Sequence, residues 1–442
     1  MGNRILILTL VLAIGSVVPS GAQSKADFTQ FVVMGEGLAA GFADFQLREV
    51  YQTNSFPALM AQQINVLFPQ PLIQSPGIGY VPGFPMLPVR VPNTLQTTVR
   101  LPPGQGCPTT TQYFTIPCTT VPVPVRPDGE GQPSQNIFIF NTSVPNMTVS
   151  DALNRTPVPP MVQQADLQQT TINMILGFPG MVTGLNRPVW TQLQYVQELK
   201  PTFVLVALGY SEVVAAAAAG DPTLIPSVAN FHTNYAAILA GLKSTFAPVL
   251  IVNIPDPTDT AYFSTLTSAS NLLLASPATI QSLYKLNADD QITINGLVAM
   301  ANQMNINKVG ALPPGSIVSA ATIAAIKAGV TALNTEIASQ AQSNGSPLYD
   351  VRSLFSQLRA SGTLANGQTL TADFQGGLYS MCGFYPGSTV QGLIANGILT
   401  QVNKTYGSNY ALVNLDNLAS VDPTVRVTAS RVNPRPKPEV TR

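Results

Sequence analysis

Six side chains could carry chemistry in this chain, at four places along it. Glu36 stands in VVMGEGLAAG, Ser211 and Glu212 in VALGYSEVV, and Cys382 and Tyr385 in GGLYSMCGFYPGSTVQGLIAN; the single histidine, His232, lies in NFHTNYAAIL. Two carboxylates at the ends of neighbouring strands could serve as acid and base, or hold a hard cation. The simpler reading has Glu36 and Glu212 each capping a helix N-terminus and interacting with its dipole. A serine or thiol nucleophile needs a partner to take its proton or lower its pKa. His232 falls beside the buried face formed by Phe231, Tyr235, Ile238 and Leu242, near a helix start, which suits a solvated or capping role. Without a histidine, Ser211 has no evident base and Cys382 reads as a structural thiol. Tyr385, with an ordinary phenol pKa of ~10, is a poor base at neutral pH.

The elements that must position these groups follow from hydrophobic patterning. QFVVM (Gln30 to Met34) reads as a short buried strand entering the glycine-rich turn GEGLAAG, and FPALMAQQINVL (Phe56 to Leu67) reads as a helix. NIFIFN (Asn136 to Asn141), FVLVALG (Phe203 to Gly209) and PVLIVNIPD (Pro248 to Asp256) are near-continuous apolar runs, as expected of parallel strands buried on both faces. Helical patterns span Thr191 to Leu199, Val228 to Leu242, Ile292 to Met304 and Ala320 to Gln340, and SPLYDV (Ser346 to Val351) reads as a last short strand. This alternation predicts a three-layer α/β/α, doubly wound, mostly parallel sheet. Between Pro69 and Pro133 fifteen prolines interrupt any regular element, so this span reads as a proline-rich insertion. The tail from Asn433 to Arg442 is expected to be a disordered end, leaving 23–432 as one domain.

Composition excludes several classes of partner. Of 442 residues 45% are hydrophobic and only 10% charged, and 21 basic residues balance 21 acidic ones. No basic patch points to nucleic acid or acidic lipid. No phosphate-binding loop, HExxH, CxxC or dinucleotide fingerprint occurs, so neither a cofactor nor a metal is expected.

The N-terminus reads as an export signal. Arg4 precedes an apolar run from Ile5 to Val18, and Ser20-Gly21-Ala22 offers the small residues a signal peptidase accepts. Residues 1–22 are therefore expected to be removed and the mature chain to be secreted or periplasmic. An uncleaved anchor is the alternative, but the run is short of the ~20 residues a spanning helix needs. In an oxidising compartment Cys107 and Cys118 are natural disulfide partners, with two free thiols as the alternative, and Cys382 is left over.

Four segments taken together resemble the SGNH hydrolases, the family of GDSL-type esterases and lipases, whose fold is flavodoxin-like. VVMGEGLAAGFADF (Val32 to Phe45) is set like the family's strand and Gly-Asp-Ser-Leu block, and NTSVPNMTVSDAL (Asn141 to Leu153) like the block that supplies a glycine. VALGYSEVV is set like the Gly-x-Asn-Asp block, and Gly376 to Asn396 like the terminal Asp-x-x-His-Pro block. The resemblance implies acyl transfer by serine, histidine and aspartate, with the serine amide, a glycine amide and an asparagine side chain holding the oxyanion. At those positions this chain carries Gly37 for serine, Asn146 for glycine, Ser211 for asparagine, Cys382 for aspartate and Tyr385 for histidine. Residues of scaffold type (Gly35, Leu38, Gly41, Gly209, Gly383, Pro386, Gly392, Asn396) remain.

The sequence thus points to a secreted SGNH-like protein without the family's catalytic groups, binding an unknown small ligand at the old pocket near Glu36 and Glu212, or serving a structural role. One alternative is an ester hydrolase working through Glu36, Glu212, Ser211 and Tyr385. Another is a surface module whose 69–133 insertion meets a partner. The exported protein is predicted to begin at Gln23 and to carry the Cys107–Cys118 bond with Cys382 free. Intact mass and unreduced peptide mapping check both; a retained Met1 or two labelled thiols in the insertion would overturn them.

Overall fold

The computed structural model describes residues 25–73, 77–79, 138–163, 166–182 and 188–425. The expected signal segment 1–22, Cys107 and Cys118, most of the proline-rich stretch and the 433–442 tail lie outside these residues. Nine strands occur among the described residues: β1 (Phe31–Gly35), β2 (Phe203–Ala207), β3 (Val249–Val252), β4 (Phe263–Ser264), β5 (Gln291–Thr293), β6 (Ile317–Val318), β7 (Leu348–Tyr349), β8 (Thr363–Ala365) and β9 (Gln368–Leu370).

The fold is α/β with a parallel central sheet, ordered β1-β2-β3-β7. Phe31 lies opposite Phe203 and Gly35 opposite Ala207, while Val204 pairs with Val249 and Ile251 with Leu348. Every residue of β1, β2 and β3 is buried, which is why these strands read as unbroken apolar runs rather than alternating ones. On the outer side of β1, Val33 donates its N–H to the Phe140 carbonyl at 2.8 Å and accepts from Thr142 N at 3.0 Å. The chain thus adds to both sides of β1, and the winding reverses there; the carboxyl end of such a strand opens onto the crevice of an open sheet.

Two groups of packed helices contact the central sheet. Phe56–Ile64 packs against Ser388–Tyr406, which also meets Leu415–Val421 and β7. Val149–Asn154, Gln192–Glu198, Val228–Lys243 and Ala320–Asn344 form the other group, with Gln192–Glu198 against β1. No helix among the described residues is long and apolar enough to cross a membrane.

Several elements differ from the sequence reading. GEGLAAG is no plain turn: Gly37–Ala40 forms one helical turn with Glu36 as its N-cap. The Phe56 helix stops at Ile64, where Asn65 takes the left-handed conformation (φ 60°) that asparagine tolerates. Of NIFIFN, the described part makes only an isolated bridge between Asn141 and Val33, because the Phe140 N–H goes to the Pro69 carbonyl at 2.7 Å. After Pro69 the chain stays on the fold, with Glu49 N donating to the Ile73 carbonyl at 2.7 Å and Leu47 bridging Ile78. Ile292 belongs to β5; the helix starts at Ile294 after Thr293, whose side chain accepts from Gly296 N. β4, β5 and β6 form a separate antiparallel sheet. SPLYDV is not the last strand, since the β8–β9 hairpin follows it. The hairpin turns on Asn366-Gly367, both at positive φ (49° and 68°), and that dipeptide is its sequence signal.

Candidate functional site

The site is built where β1 and β2 end. Gly35 and Ala207 lie in register, so the chain beyond each strand emerges on the same rim: Glu36 after β1, and Ser211 in the first turn of the Tyr210–Ala219 helix after β2. Tyr385 reaches the same point from the loop before the Ser388–Tyr406 helix. Glu36 is 1% exposed and Tyr385 1%. The Glu36 carboxylate accepts from Leu38 N through Oε1 (3.0 Å) and, through Oε2, from Ser211 Oγ (3.1 Å) and the Tyr385 hydroxyl (3.3 Å). No cation pairs with it among the described residues. Burial therefore pushes its pKa up to about 7, against the lowering effect of the Leu38 amide and the Ser211 hydroxyl. Burial also pushes the Tyr385 phenol up, and the nearby Glu36 carboxylate adds to the shift, so at neutral pH the phenol keeps its proton and donates it to Glu36.

Gly37 and Tyr385 share one space. A Cβ on Gly37 would stand 2.8 Å from the Cε1, Cζ and hydroxyl oxygen of Tyr385, closer than side chains tolerate. The ring is not free to yield: it packs edge-on against Phe42 (centroids 5.0 Å apart) and Tyr210 (5.6 Å). Tyr210 is itself fixed, its hydroxyl donating to the Phe384 carbonyl at 2.9 Å. Phe42 and Tyr210 are site residues that sequence reasoning missed; Tyr210 stands beside Ser211 in GYSE, whereas nothing in the sequence singles out Phe42.

The other candidates are placed as follows. Glu212, 8% exposed, accepts the Val149 N–H at 2.6 Å through Oε1. It thereby holds the first amide of the Val149–Asn154 helix, whose N-cap is Thr148, while standing in the first turn of the helix that follows β2. Burial raises its pKa to about 7. Asn146 is half-buried in the loop leading into that same helix, at φ 59°. Cys382 is fully buried, its Sγ 3.2 Å from Ser380 Oγ, and burial pushes the thiol up. It lies in a tight turn closed by the Ser380 amide donating to Tyr385 O (3.0 Å). Gly383 in that turn has φ 77°, and a Cβ there would meet Tyr262 backbone at 2.7 Å. His232 is away from the rim, on the outer helices: Nδ1 lies 2.6 Å from Glu336 Oε1 and 2.9 Å from Gln340 Nε2. Trp190 packs edge-on against Tyr195, 5.7 Å away. No group of three or more His, Cys, Asp or Glu suited to a metal occurs among the described residues.

Chemically, the arrangement is a carboxyl group holding two hydroxyl donors. One sequence inference changes: Ser211 does have a proton acceptor within reach, in Glu36. Tyr385 stands where a side chain on residue 37 would have to go.

No family profile matches the chain, and no curated protein does. Among solved structures it is similar to the psychrotrophic esterase EstA from Pseudoalteromonas sp., inhibited by monoethylphosphonate. The TM-score is 0.32 at 9% identity, over 86% of this chain and 100% of that one. A likeness of that degree carries no argument about activity.

Two predictions follow from this geometry. Gly37→Ser should destabilise the protein by about 1–3 kcal/mol through overpacking against Tyr385. In a Tyr385→His background the same change should cost at least ~1 kcal/mol less, since residues in contact couple. Denaturant unfolding of the four proteins in this cycle decides it, and simple additivity would contradict the shared space. The second concerns pH. Glu36 and Glu212 have folded pKa values near 7 against 4.5 ordinarily, so the folded state binds more protons between those values. Their contribution is full below pH 4.5 and is lost as pH rises through about 7, by at most ~3 kcal/mol each. Glu36→Gln with Glu212→Gln should flatten the fall in melting temperature between pH 5 and pH 8; an unchanged slope would show that neither group titrates there.

Proposed function

We propose that this chain is an exported, three-layer α/β/α protein of SGNH type, doubly wound in flavodoxin-like order, whose acyl-transfer centre has become a structural core. It is a non-catalytic member of that class, and the former site has a structural use. The carrying observation is the Tyr385 phenol filling the space beside Gly37: the position matching the nucleophile has neither a hydroxyl nor room for one. The phenol is a proton donor there, not a base, and the position matching the orienting aspartate holds the buried thiol Cys382.

A second reading has one specific observation in its favour. Ser211 Oγ donates to Glu36 Oε2 at 3.1 Å, and Glu36 has a pKa near 7, the pairing a serine nucleophile with a carboxylate base would need. Against it, Ser211 is 7% exposed and Glu36 already accepts from Tyr385 and Leu38, so an acyl carbon has little approach to the hydroxyl.

A panel of short and long acyl esters, with a serine-directed phosphonate, separates the two. The expected result with the purified mature protein is no turnover above that of the Ser211→Ala variant and no serine labelling. Turnover that disappears in both Ser211→Ala and Glu36→Gln would overturn the structural reading and establish the second.

A further inference from the structure

The chain contains four Asn-Gly pairs: Asn295-Gly296, Asn344-Gly345, Asn366-Gly367 and Asn396-Gly397. Asparagine before glycine is chemically labile, because the glycine nitrogen, shielded by no side chain, can attack the asparagine Cγ and close a ring. Folding decides which pair reacts, since the attacking amide must be free of a hydrogen bond and the backbone free to turn. Asn295 and Asn396 lie inside the Ile294–Asn305 and Ser388–Tyr406 helices. The Gly296 amide donates to Thr293 Oγ1 at 3.2 Å, and the Asn396 side chain bonds to both backbone groups of Val413. A Cβ on Gly296 would collide with the Ser316 carbonyl and one on Gly397 with the Tyr349 hydroxyl, so both backbones are locked by packing. Asn344-Gly345 ends the Ala320–Asn344 helix, where the Gly345 amide donates to the Gln342 carbonyl (3.1 Å) and Asn344 Nδ2 to Ser346 Oγ (2.8 Å).

Asn366-Gly367 is placed differently. Both residues are exposed at the tip of the β8–β9 hairpin, the Gly367 amide makes no hydrogen bond among the described residues, and the space beside its Cα is open. The hairpin pairs only three residues with three, from Thr363 opposite Leu370 to Ala365 opposite Gln368, and so short a ribbon is marginal by itself. Exposed tips of this kind open at little cost. The tip is tethered by the Asn366 amide, which donates to Asp416 Oδ1 at 2.6 Å. We propose that Asn366-Gly367 is a site of spontaneous modification in the folded protein, where Asn366 is converted to isoaspartate and aspartate. The Gly367 nitrogen bonds to Asn366 Cγ, the Cγ–Nδ2 bond breaks, and ammonia leaves with the proton from the Gly367 amide. Water then opens the cyclic imide: attack at the side-chain carbonyl gives aspartate, and attack at the backbone carbonyl gives isoaspartate. The steps consume only water and need no oxidant or enzyme. Isoaspartate lengthens the backbone of the turn by one methylene, and either product sets a new carboxylate near Asp416, so the modification loosens the hairpin from the Leu415–Val421 helix.

Incubating the purified mature protein at mildly alkaline pH in heavy-oxygen water, followed by peptide mapping with separation of the isoaspartyl forms, tests the proposal on the unmodified chain. Hydrolysis of the imide marks each converted residue with a heavy oxygen, which separates conversion during the incubation from any that preceded it. In the folded protein Asn366 is expected to convert at least about tenfold faster than Asn295, Asn344 or Asn396, because only its backbone opens without disturbing a helix. In denaturant the four rates should converge, since each asparagine then has the same glycine neighbour and no fold to restrain it. The proposal is overturned if Asn366 in the folded protein stays unlabelled or converts no faster than the other three. It is equally overturned if the preference for Asn366 persists undiminished in denaturant, which would make it a property of local sequence and not of the hairpin.

Discussion

The Glu36 carboxyl group, buried at the end of β1, sets the terms for everything around it. A carboxylate taken out of water needs either a cation or a set of donors, and here it has donors: the Leu38 amide, the Ser211 hydroxyl and the Tyr385 hydroxyl. Each comes from a different part of the chain. The Leu38 amide is available because Glu36 starts a helical turn; Ser211 because β2 lies in register with β1; Tyr385 because a loop far along the sequence folds back over the rim. Once the phenol is there, residue 37 has no space for a side chain. The glycine at 37 and the tyrosine at 385 are thus one packing solution.

That loop is held with matching care. Asp44 accepts the Met381 amide at 2.7 Å on one side of it. On the other, the buried Asp422 accepts from Thr389 N (2.6 Å) and Oγ1 (2.7 Å) and from Thr424 N and Oγ1, fixing the start of the Ser388–Tyr406 helix. Gln391, one turn on, accepts from Phe56 N (2.9 Å) and donates to the Leu38 carbonyl (3.1 Å). It joins that helix to the Phe56–Ile64 helix and to the turn that Glu36 begins. Asn396 bonds to both backbone groups of Val413 and holds the chain that follows. The loop that carries Tyr385 is thus pinned before it by Asp44 and after it by Asp422.

Much of this was legible in the sequence. The apolar runs at β1, β2 and β3, the long helices, and the rim position of Glu36 and Ser211 follow from local patterning, because strands buried on both faces leave a continuous apolar signature. Short elements were harder. β4, β5 and β6 contain only two or three residues each, too few for a period to emerge, and Phe138–Asn141 looks like a strand but bonds on one side to Pro69. The absence of a serine, histidine and aspartate at the positions of the resemblance was also readable directly, since it depends on residue identity alone.

By itself, then, the sequence determined the fold class and the chemical inventory of the rim, because periodicity and composition act over a few residues. Only the tertiary structure decided what that inventory does. Glu36 and Tyr385 are 349 residues apart, and Glu36 and Ser211 175. No local pattern relates a glycine to a tyrosine at that distance, nor reveals that Ser211 has a carboxyl partner, or that Glu212 binds the first amide of a neighbouring helix. Those facts arise from the register of two parallel strands and the return of one loop, which place side chains in contact through space and take them out of water together.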